Sequence, residues 1–262
     1  MVIKERRTKI LLALLVCSDV NLQPILFDQR IQAIFDLSFN QKTRGTISAM
    51  IKDGAIEKSS SQNENDSEAS NRSDEQVITG MYRLTDKGFH ILCLEFPFFR
   101  FLRDKWDGKW RILSYEIPES KRDLRDKLRR EVTGWGLGPW HRSFWVTPHP
   151  IIENLRVLVS NKEEEQYIQA FEADHIFGDK EILIEKVWQK NELDRRYREL
   201  FKLWHEILSK DGDKLLKLRQ VISEYVTLLR IDPGLPVDLV GTSWIGFEAF
   251  NIYKEIRSIL LS

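Results

Sequence analysis

The segment 41–52 combines side chains of the types that hydrogen-bond to DNA bases and phosphates. It reads QKTRGTISAMIK, and Ile47, Met50 and Ile51 recur at the spacing that predicts the apolar face of a helix. The outward face would carry Gln41, Lys42, Arg44, Gly45, Ser48 and Lys52. Glutamine, lysine and arginine are the donors that proteins use in the DNA major groove. The segment therefore predicts a DNA-contacting helix, and the alternative is the solvated face of an ordinary core helix.

Gly45 lies within this polar face, where a glycine is costly. In a helix interior, glycine is less favourable than alanine by about 1 kcal/mol. Because a glycine has no side chain, we interpret Gly45 as a point where the helix backbone approaches DNA closely.

The remaining sequence lacks the residue patterns of common catalytic sites. It has no glycine-rich phosphate loop, no zinc-type cluster of cysteine and histidine, and no serine hydrolase elbow. We expect each histidine to be a surface residue with satisfied hydrogen bonds. These are His90, His141, His149, His175 and His205. The sequence therefore favours a binding protein without a cofactor over an enzyme.

The helix that carries the polar face is predicted to be the third of three short helices. The first runs from Lys4 to Cys17, with an apolar stripe of Ile10, Leu11, Leu14 and Leu15. The second contains Phe27, Ile31, Ile34 and Phe35, and we expect Pro24 to lie near its start. Asp53-Gly54 should end the third helix with a C′ glycine. Three helices followed by strands predict a winged helix-turn-helix domain over residues 1–104.

The predicted wing consists of two strands separated by a polar insertion. Ala55 to Lys58 and Gly80 to Leu84 are the strand candidates, and 59–76 is rich in Ser, Asn, Asp and Glu. Such a composition cannot bury enough apolar surface to fold, so this loop is predicted to be disordered. The connector after the wing is densely apolar from Phe96 to Leu102. We expect Pro97 to break it and its surface to serve as a domain interface or dimer contact.

Residues 105–189 are predicted to form a ferredoxin-like α+β domain. Ile112 to Ile117 is apolar on both faces and predicts a central strand, followed by a helix from Ser120 to Gly134. Ser143 to Thr147 predicts a second strand, which completes the opening half of a βαββαβ unit. Later elements are a helix over 151–160, a strand over 169–177, and either a strand or the start of a helix over 181–188.

Residues 190–262 are predicted to form a helical domain. One amphipathic face is formed by Leu193, Tyr197, Leu200, Phe201, Trp204 and Leu208. A second is formed by Leu215, Leu218, Val221, Ile222, Tyr225 and Leu228. Asp232-Pro233-Gly234 should form a rigid turn before a last helix from Trp244 to Leu261.

Several strings in this sequence resemble the PaaX-type transcriptional repressors, the regulators of phenylacetate catabolism. In the middle region these strings are WDGKWRILSYEIPES, GWGLGPW and SFWVTP, and near the carboxyl end RIDPGLPVDL followed by Trp244, Gly246 and Tyr253. TRGTISAMIKDG resembles the recognition helix of that family, although Ala49 stands where the family often has a basic residue. YRLTDKG resembles the wing exit of many bacterial winged-helix regulators. The resemblance implies a dimeric repressor that binds double-stranded operator DNA.

The same resemblance implies release by an acyl-coenzyme A effector. Such a ligand requires cations for its phosphates and an apolar slot for its acyl group. The candidate cations are Lys121, Arg122, Arg125, Arg129 and Arg130, and the candidate walls are Trp135, Trp140 and Trp145. The alternatives are that the cations form a solvated helix face or follow the DNA backbone, and that the tryptophans belong to the core.

The middle region also resembles in fold the small CRISPR-associated adaptation endonuclease. That family has a metal-binding Asp at the end of its first strand, where this chain has Glu116, with Glu119 nearby. Divalent cations prefer oxygen ligands, and a dimer would supply two copies of Glu116. The second hypothesis is therefore a metal-dependent nuclease fused to a winged helix. Because Asp is replaced by Glu, we expect Glu116 to be structural and the chain to have no metal site.

Composition limits the class of protein. The 262 residues are 42% hydrophobic and 31% charged with no net charge, which indicates a soluble protein of two or three domains with any basic patch confined locally. No apolar run reaches eighteen residues, so no membrane span is predicted, and LLALLV is too short for a signal peptide. Cys17 and Cys93 are expected to be buried free thiols in a reducing cytoplasm.

Overall fold

The computed structural model describes residues 5–18, 22–38, 40–59, 80–102 and 105–262. These residues form helices and two antiparallel sheets, which confirms the α+β class. The chain divides into two compact units. The first contains Met1–Leu92, Trp204–Val226 and Tyr253–Ser262, and the second contains Cys93–Leu203 and Thr227–Ile252. The predicted polar loop lies outside the described residues except for Ser59, which ends a strand.

The amino-terminal part of the first unit contains three helices and a three-stranded antiparallel sheet. The elements are α1 Arg6–Cys17, β1 Ile25–Leu26, α2 Gln29–Phe35, α3 Gln41–Lys52, β2 Ile56–Ser59, β3 Met81–Leu84 and the start of α4 Asp86–Glu95. The strand order is β1-β3-β2. Pro24 does not start α2 as predicted, because the chain first forms β1. The helix begins after Asp28, whose Oδ1 accepts a hydrogen bond from Ile31 N at 3.0 Å.

Helix α1 is buried on all sides in the core of the first unit. Every residue from Thr8 to Val16 is buried, which is the pattern of a central helix rather than a surface one. Its last carbonyls bond to residues of α11 Ile245–Leu261. Arg257 Nη1 donates to Val16 O at 2.9 Å and to Ser18 O at 2.6 Å, and Tyr253 Oη donates to Val16 O at 2.9 Å. A cation at the carboxyl end of α1 also complements the helix dipole.

Helix α4 approaches β2 closely at Gly88. A Cβ atom on this residue would lie 1.9 Å from Ala55 O, so only glycine fits without a shift of the backbone. The Thr85 hydroxyl lies at the same junction. It donates to Gly54 O at 2.7 Å and to Ala55 O at 3.0 Å, and it accepts from Gly88 N at 3.1 Å. The string TDKG therefore joins the start of α4 to the chain that leaves α3.

The apolar connector is buried within the second unit. Helix α4 ends at Glu95 and a 3-10 turn runs from Pro97 to Leu102, so the predicted break at Pro97 is confirmed. Phe98 and Phe99 are at most 1% exposed and both pack against Phe250. The expected pairing surface at Phe96–Leu102 is therefore wrong for these rings, because they are core residues.

The second unit contains a four-stranded antiparallel sheet with the strand order β5-β6-β4-β7. The elements follow the order β4 Lys109–Tyr115, α5 Arg122–Gly134, β5 Gly138–His141, β6 Phe144–Thr147, α6 Ile152–Val159, β7 Ile168–Asp174 and α7 Lys180–Trp188. Strand β5 was predicted to be a turn. Pro139 fits a strand here because β5 lies at the sheet edge, where a missing N–H breaks no ladder. The segment 181–188 is helical, since Asp179 accepts from Glu181 N at 2.7 Å.

One face of this sheet packs against α5 and α6. Leu113 and Tyr115 of β4 and Trp145 of β6 lie in a buried cluster with Leu128, Val132 and Leu155 of the two helices. Because side chains alternate along a strand, Trp110, Ile112 and Ser114 lie on the opposite face. Two surfaces of the same sheet are thus available for different purposes.

The carboxyl-terminal residues are helical as predicted. The helices are α8 Lys190–Ser209, α9 Lys214–Leu229, α10 Val237–Val240 and α11, which begins one residue after the predicted Trp244. Gly234 has a φ of 64° in the turn before α10. A Cβ on it would lie 2.0 Å from Pro97 O, so this turn requires glycine for both its backbone angle and its packing.

Asp232 is a buried carboxylate in this turn. It is 1% exposed, and its oxygens accept from Tyr197 Oη at 2.6 Å and Gly234 N at 2.8 Å. Burial raises the pKa of Asp232 to about 6, although the hydrogen bonds from Tyr197 and Gly234 oppose that rise. The turn is thus held by a polar group that favours its protonated form.

His149 is buried, contrary to the expectation of a surface position. It is 2% exposed and its Nε2 lies 3.1 Å from Pro233 O. Burial, with a smaller contribution from Arg100, lowers the pKa of His149 well below its ordinary value. Both cysteines are free thiols as predicted, with Cys93 buried and Cys17 half-buried.

The environments of Gly88 and Gly45 predict opposite effects of the same substitution. Gly88→Ala should lower the free energy of unfolding by roughly 1–3 kcal/mol, because the new methyl group meets Ala55 O. Gly45→Ala should raise it by about 0.4–1 kcal/mol, since nothing lies within 4 Å of an added Cβ. Urea denaturation of both variants tests this. Equal effects of the two substitutions would contradict the packing described at Gly88.

The raised pKa of Asp232 predicts a pH-dependent contribution to stability. Between the unfolded pKa of 3.8 and the folded value of about 6, the native state binds more protons, so stability falls as pH rises. Asp232→Asn removes this contribution. Relative to the unchanged chain, the variant should gain about 3 kcal/mol in free energy of unfolding from about pH 3.5 to about pH 7. His149 is present in both chains, so its titration cancels, and a constant difference across that range would contradict the account.

Candidate functional site

The outward face of α3 is the candidate nucleic-acid interface. Thr43, Ile47 and Met50 are at most 5% exposed and form the inner stripe of the helix. All six sequence-predicted contact residues are exposed on the other side. These are Gln41, Lys42, Arg44, Gly45, Ser48 and Lys52. Ile51, predicted to face inward, is 39% exposed, because the stripe recurs at intervals of four and three residues and passes through Met50.

Hydrogen bonds fix the amino end of α3. Asn40 Oδ1 accepts from Thr43 N at 3.1 Å, which caps the helix. The Thr43 hydroxyl donates to Ser38 O at 2.6 Å, so this inward polar side chain is satisfied. The first turn, which carries Gln41 and Lys42, therefore begins at a defined position relative to α2.

Two cations fix the carboxyl end of the same helix. Arg7 of α1 forms an ion pair with Asp53 at 3.0 Å, and Lys87 of α4 donates to Asp53 O at 2.6 Å. Gly54 follows with a φ of 70°, which confirms the predicted C′ glycine. Positive charge here offsets both the Asp53 carboxylate and the negative end of the helix dipole. The exposed face of α3 is therefore presented by a helix anchored at both ends.

The strands after α3 carry both signs of charge. Glu57 on β2 and Arg83 on β3 are cross-strand neighbours and form an ion pair. Lys58 is exposed on β2 beside them. The residues between these strands, 60–79, lie outside the part of the chain that the structure describes.

The candidate effector cations lie at the start of α5 and beside carboxylates. Arg125 pairs with Glu119 at 2.7 Å and Arg122 with Asp126 at 3.6 Å. Lys121 pairs with Glu163 and donates to Tyr167 Oη at 2.7 Å. Arg129 and Arg130 are exposed further along α5. Solvent-exposed pairs of this kind contribute little to stability, and a phosphate group would have to compete with the carboxylates.

The three candidate tryptophan walls have different environments. Trp145 is 3% exposed in the core, where its Nε1 donates to Tyr115 Oη at 3.2 Å. Trp135 is half-buried against the same cluster. Trp140 is 42% exposed and lines a pocket on the opposite side of the sheet. The fold therefore separates Trp140 from the other two.

Glu116 is exposed just beyond the end of β4. It lines a shallow depression with Ser114, Gln166, Tyr167 and Gln169. The neighbouring Glu119 is held by Arg125, whose hydrogen bond lowers the pKa of that carboxyl. Within the described ranges, no group of three or more His, Cys, Asp or Glu side chains is arranged to hold a metal ion.

Sequence reasoning missed a pocket of about 430 Å³ on the helix-free face of the sheet. Its walls are mainly apolar and come from β4, β5, β6, β7 and α7. They include Trp110, Ile112, Trp140, Val146, Ile176 and Ile182. The segment 175–177 was predicted to continue a strand, but β7 ends at Asp174 and the chain turns over the sheet. The alternating tryptophan at position 110 was the available signal.

Two family models match this chain. One describes the PaaX protein central Cas2-like domain and matches residues 103–183, and the other describes the PaaX-like protein C-terminal domain and matches residues 188–262. Among the described helices, none is long and apolar enough to cross a bilayer.

Similar proteins include one of the two components of the nuclease SbcCD of Staphylococcus aureus. For strain MRSA252 the identity is 32% over 123 residues, which is 46% of this chain and 11% of that protein. For strain Newman it is 32% over 126 residues, 47% of this chain and 12% of that protein. The chain thus spans about a tenth of the length of the curated relatives it matches.

A solved structure is similar across nearly the whole chain. It is the uncharacterized protein Rv0674 from Mycobacterium tuberculosis, with a TM-score of 0.51 and 16% identity over 98% of this chain and 95% of that one. This likeness concerns the fold. The two family models together extend from residue 103 to residue 262, on either side of a short gap. The chain belongs to the PaaX family.

Proposed function

We propose that the chain is a DNA-binding transcriptional regulator, a cytoplasmic repressor that a small acyl effector releases from double-stranded operator DNA. The observation that carries the proposal is the exposed polar face of α3, on a helix anchored at both ends. Family membership supports the regulator class. The proposed domains are 1–104 for DNA binding, 105–189 for the middle domain and 190–262 for the helical tail.

The DNA-binding domain is proposed to be a winged helix-turn-helix. This is supported by the order of α1, α2 and α3 and by the antiparallel pairing of β2 with β3 directly after the third helix. In such a domain the third helix enters the major groove and the hairpin contacts the backbone. Gln41, Lys42, Arg44, Gly45, Ser48 and Lys52 are the proposed contacts.

The middle domain is proposed to be ferredoxin-like. The element order β4-α5-β5-β6-α6-β7 and the strand order β5-β6-β4-β7 support this assignment. We propose that it connects the DNA-binding heads and transmits release by an acyl effector. An effector releases DNA only if it binds one arrangement of the heads more tightly than the other. The proposed effector contacts remain Lys121, Arg122, Arg125, Arg129, Trp135, Trp140 and Trp145.

The active form is proposed to be a homodimer. A single winged helix makes few base contacts, and a two-fold operator requires two reading heads about one helical turn apart or a multiple of that distance. Phe144 and Phe171, 41% and 50% exposed on the middle-domain sheet, supply apolar surface that pairing would bury.

Removing the α3 cations should weaken DNA binding more than removing equal charge elsewhere. Each lost phosphate contact lowers the salt slope of log K by about one unit, and a lost bidentate arginine–guanine contact costs roughly 1–3 kcal/mol. The test measures Lys42→Ala/Arg44→Ala by fluorescence anisotropy on duplexes selected from genomic fragments. The matched control is Lys210→Ala/Lys214→Ala, which removes two exposed cations of the same unit.

Equal losses in the two double variants would mean that net charge, rather than α3, governs binding. A folded α3 variant with unchanged affinity and salt slope would remove this helix from the interface altogether.

A metal-dependent nuclease is the alternative function, which the Cas2-like family model and exposed Glu116 make worth testing. We expect labelled duplex incubated with magnesium or manganese to remain intact and retarded in a gel. Glu116→Gln should behave identically, because Glu116 has no catalytic role in the proposed regulator. Chelator-sensitive cleavage that Glu116→Gln abolishes would replace the repressor proposal with the nuclease.

A further inference from the structure

The helix-free face of the middle-domain sheet contains a partly enclosed apolar pocket. Ile112 and Val146 form its floor, and Trp140 and Ile182 form two of its walls. The turn after β7 contributes Ile176 and Phe177, which are 87% and 95% exposed. Large apolar side chains with this exposure are unfavourable in water unless a ligand or partner covers them.

Trp110 adds a hydrogen-bond donor to this apolar pocket. Its side chain lines the pocket and is only 3% exposed. Its Nε1 is buried and has no hydrogen-bond partner among the residues that the structure describes. Buried indole N–H groups are normally paired, because an unpaired one loses its bond to water without replacement.

The indole ring cannot easily turn to find a partner. Trp188 stacks on it at 6.2 Å between ring centroids and 23° between planes, and Trp106 lies at 5.4 Å. The direction of the N–H is therefore set by ring packing. An incoming acceptor has to reach the donor, rather than the donor reaching an acceptor.

Two of the polar groups around the pocket already have partners in the chain. The Asp179 carboxylate caps α7 by accepting from Glu181 N and Ile182 N. The His175 ring lies 2.9 Å from Gly178 O. The chemistry of the site is therefore an apolar volume with one unsatisfied donor.

We propose that this pocket binds a small aromatic or branched aliphatic molecule whose carbonyl oxygen accepts a hydrogen bond from Trp110 Nε1. A volume of about 430 Å³ accommodates a two-ring compound. The apolar walls select by shape, and the single donor discriminates between a carbonyl compound and a hydrocarbon of the same shape. The proposal does not depend on DNA binding, so either function can fail alone.

The test compares 2-acetylnaphthalene with 2-isopropenylnaphthalene, in which a methylene group replaces the carbonyl oxygen. Equilibrium dialysis against the full chain without DNA measures both dissociation constants. Trp110→Phe retains an aromatic ring without the N–H. We expect this change to reduce the preference for the ketone by about fivefold, the ratio that one neutral hydrogen bond supplies. The hydrocarbon affinity should change by less than about twofold.

Trp140→Ala is the matched control, because Trp140 is a partly exposed wall with no proposed hydrogen bond to the ligand. It should weaken both probes similarly and preserve the ketone preference. In the unchanged chain, one indole N–H resonance should shift with the ketone and not with the hydrocarbon, which keeps the test valid if Trp110→Phe fails to fold.

Three outcomes would overturn the proposal. They are the absence of saturable binding of either probe, a ketone preference unchanged in folded Trp110→Phe, and probe affinities unaffected by Trp140→Ala.

Discussion

The contact of Thr85 and Gly88 with the chain leaving α3 is the constraint on which the candidate DNA interface depends. One hydroxyl bonds to Gly54 O, Ala55 O and Gly88 N, and the missing side chain of Gly88 lets α4 lie against β2. Because Lys87 in the same string donates to Asp53 O, the end of α3 is tied to the start of α4. A helix whose end is fixed in this way presents its outward side chains in one arrangement, as groove recognition requires.

Buried polar groups play a comparable part in the second unit. Asp232 accepts from Tyr197 and Gly234, while the Pro233 carbonyl lies beside His149. Arg100, 4% exposed, donates to Trp135 O at 2.7 Å. These bonds satisfy groups that would otherwise be costly in a core, and they explain why the strings GWGLGPW and RIDPGLPVDL contain polar and glycine residues among apolar ones.

The sequence predicted those elements whose signals are local. The bounds of α3, the C′ glycine at Gly54 and the break at Pro97 follow from helical periodicity and backbone chemistry. The errors arose where tertiary context decides. Strand β5 forms at Gly138–His141 because an edge position tolerates Pro139, and the connector rings are buried because Phe250 packs against them. The pocket beside Trp110 joins residues far apart in the chain, so no local pattern could reveal it.

The most direct test of the account is whether the outward face of α3 lies against DNA. A DNA-cleaving iron chelate attached to Ser48→Cys, with Cys17 and Cys93 replaced by serine, would mark the nearest sugars in a bound duplex. The account predicts cleavage confined to the bound sites and centred where the major groove faces the protein. Cleavage no different from that of the free chelate, by a variant that still binds the duplex, would contradict it.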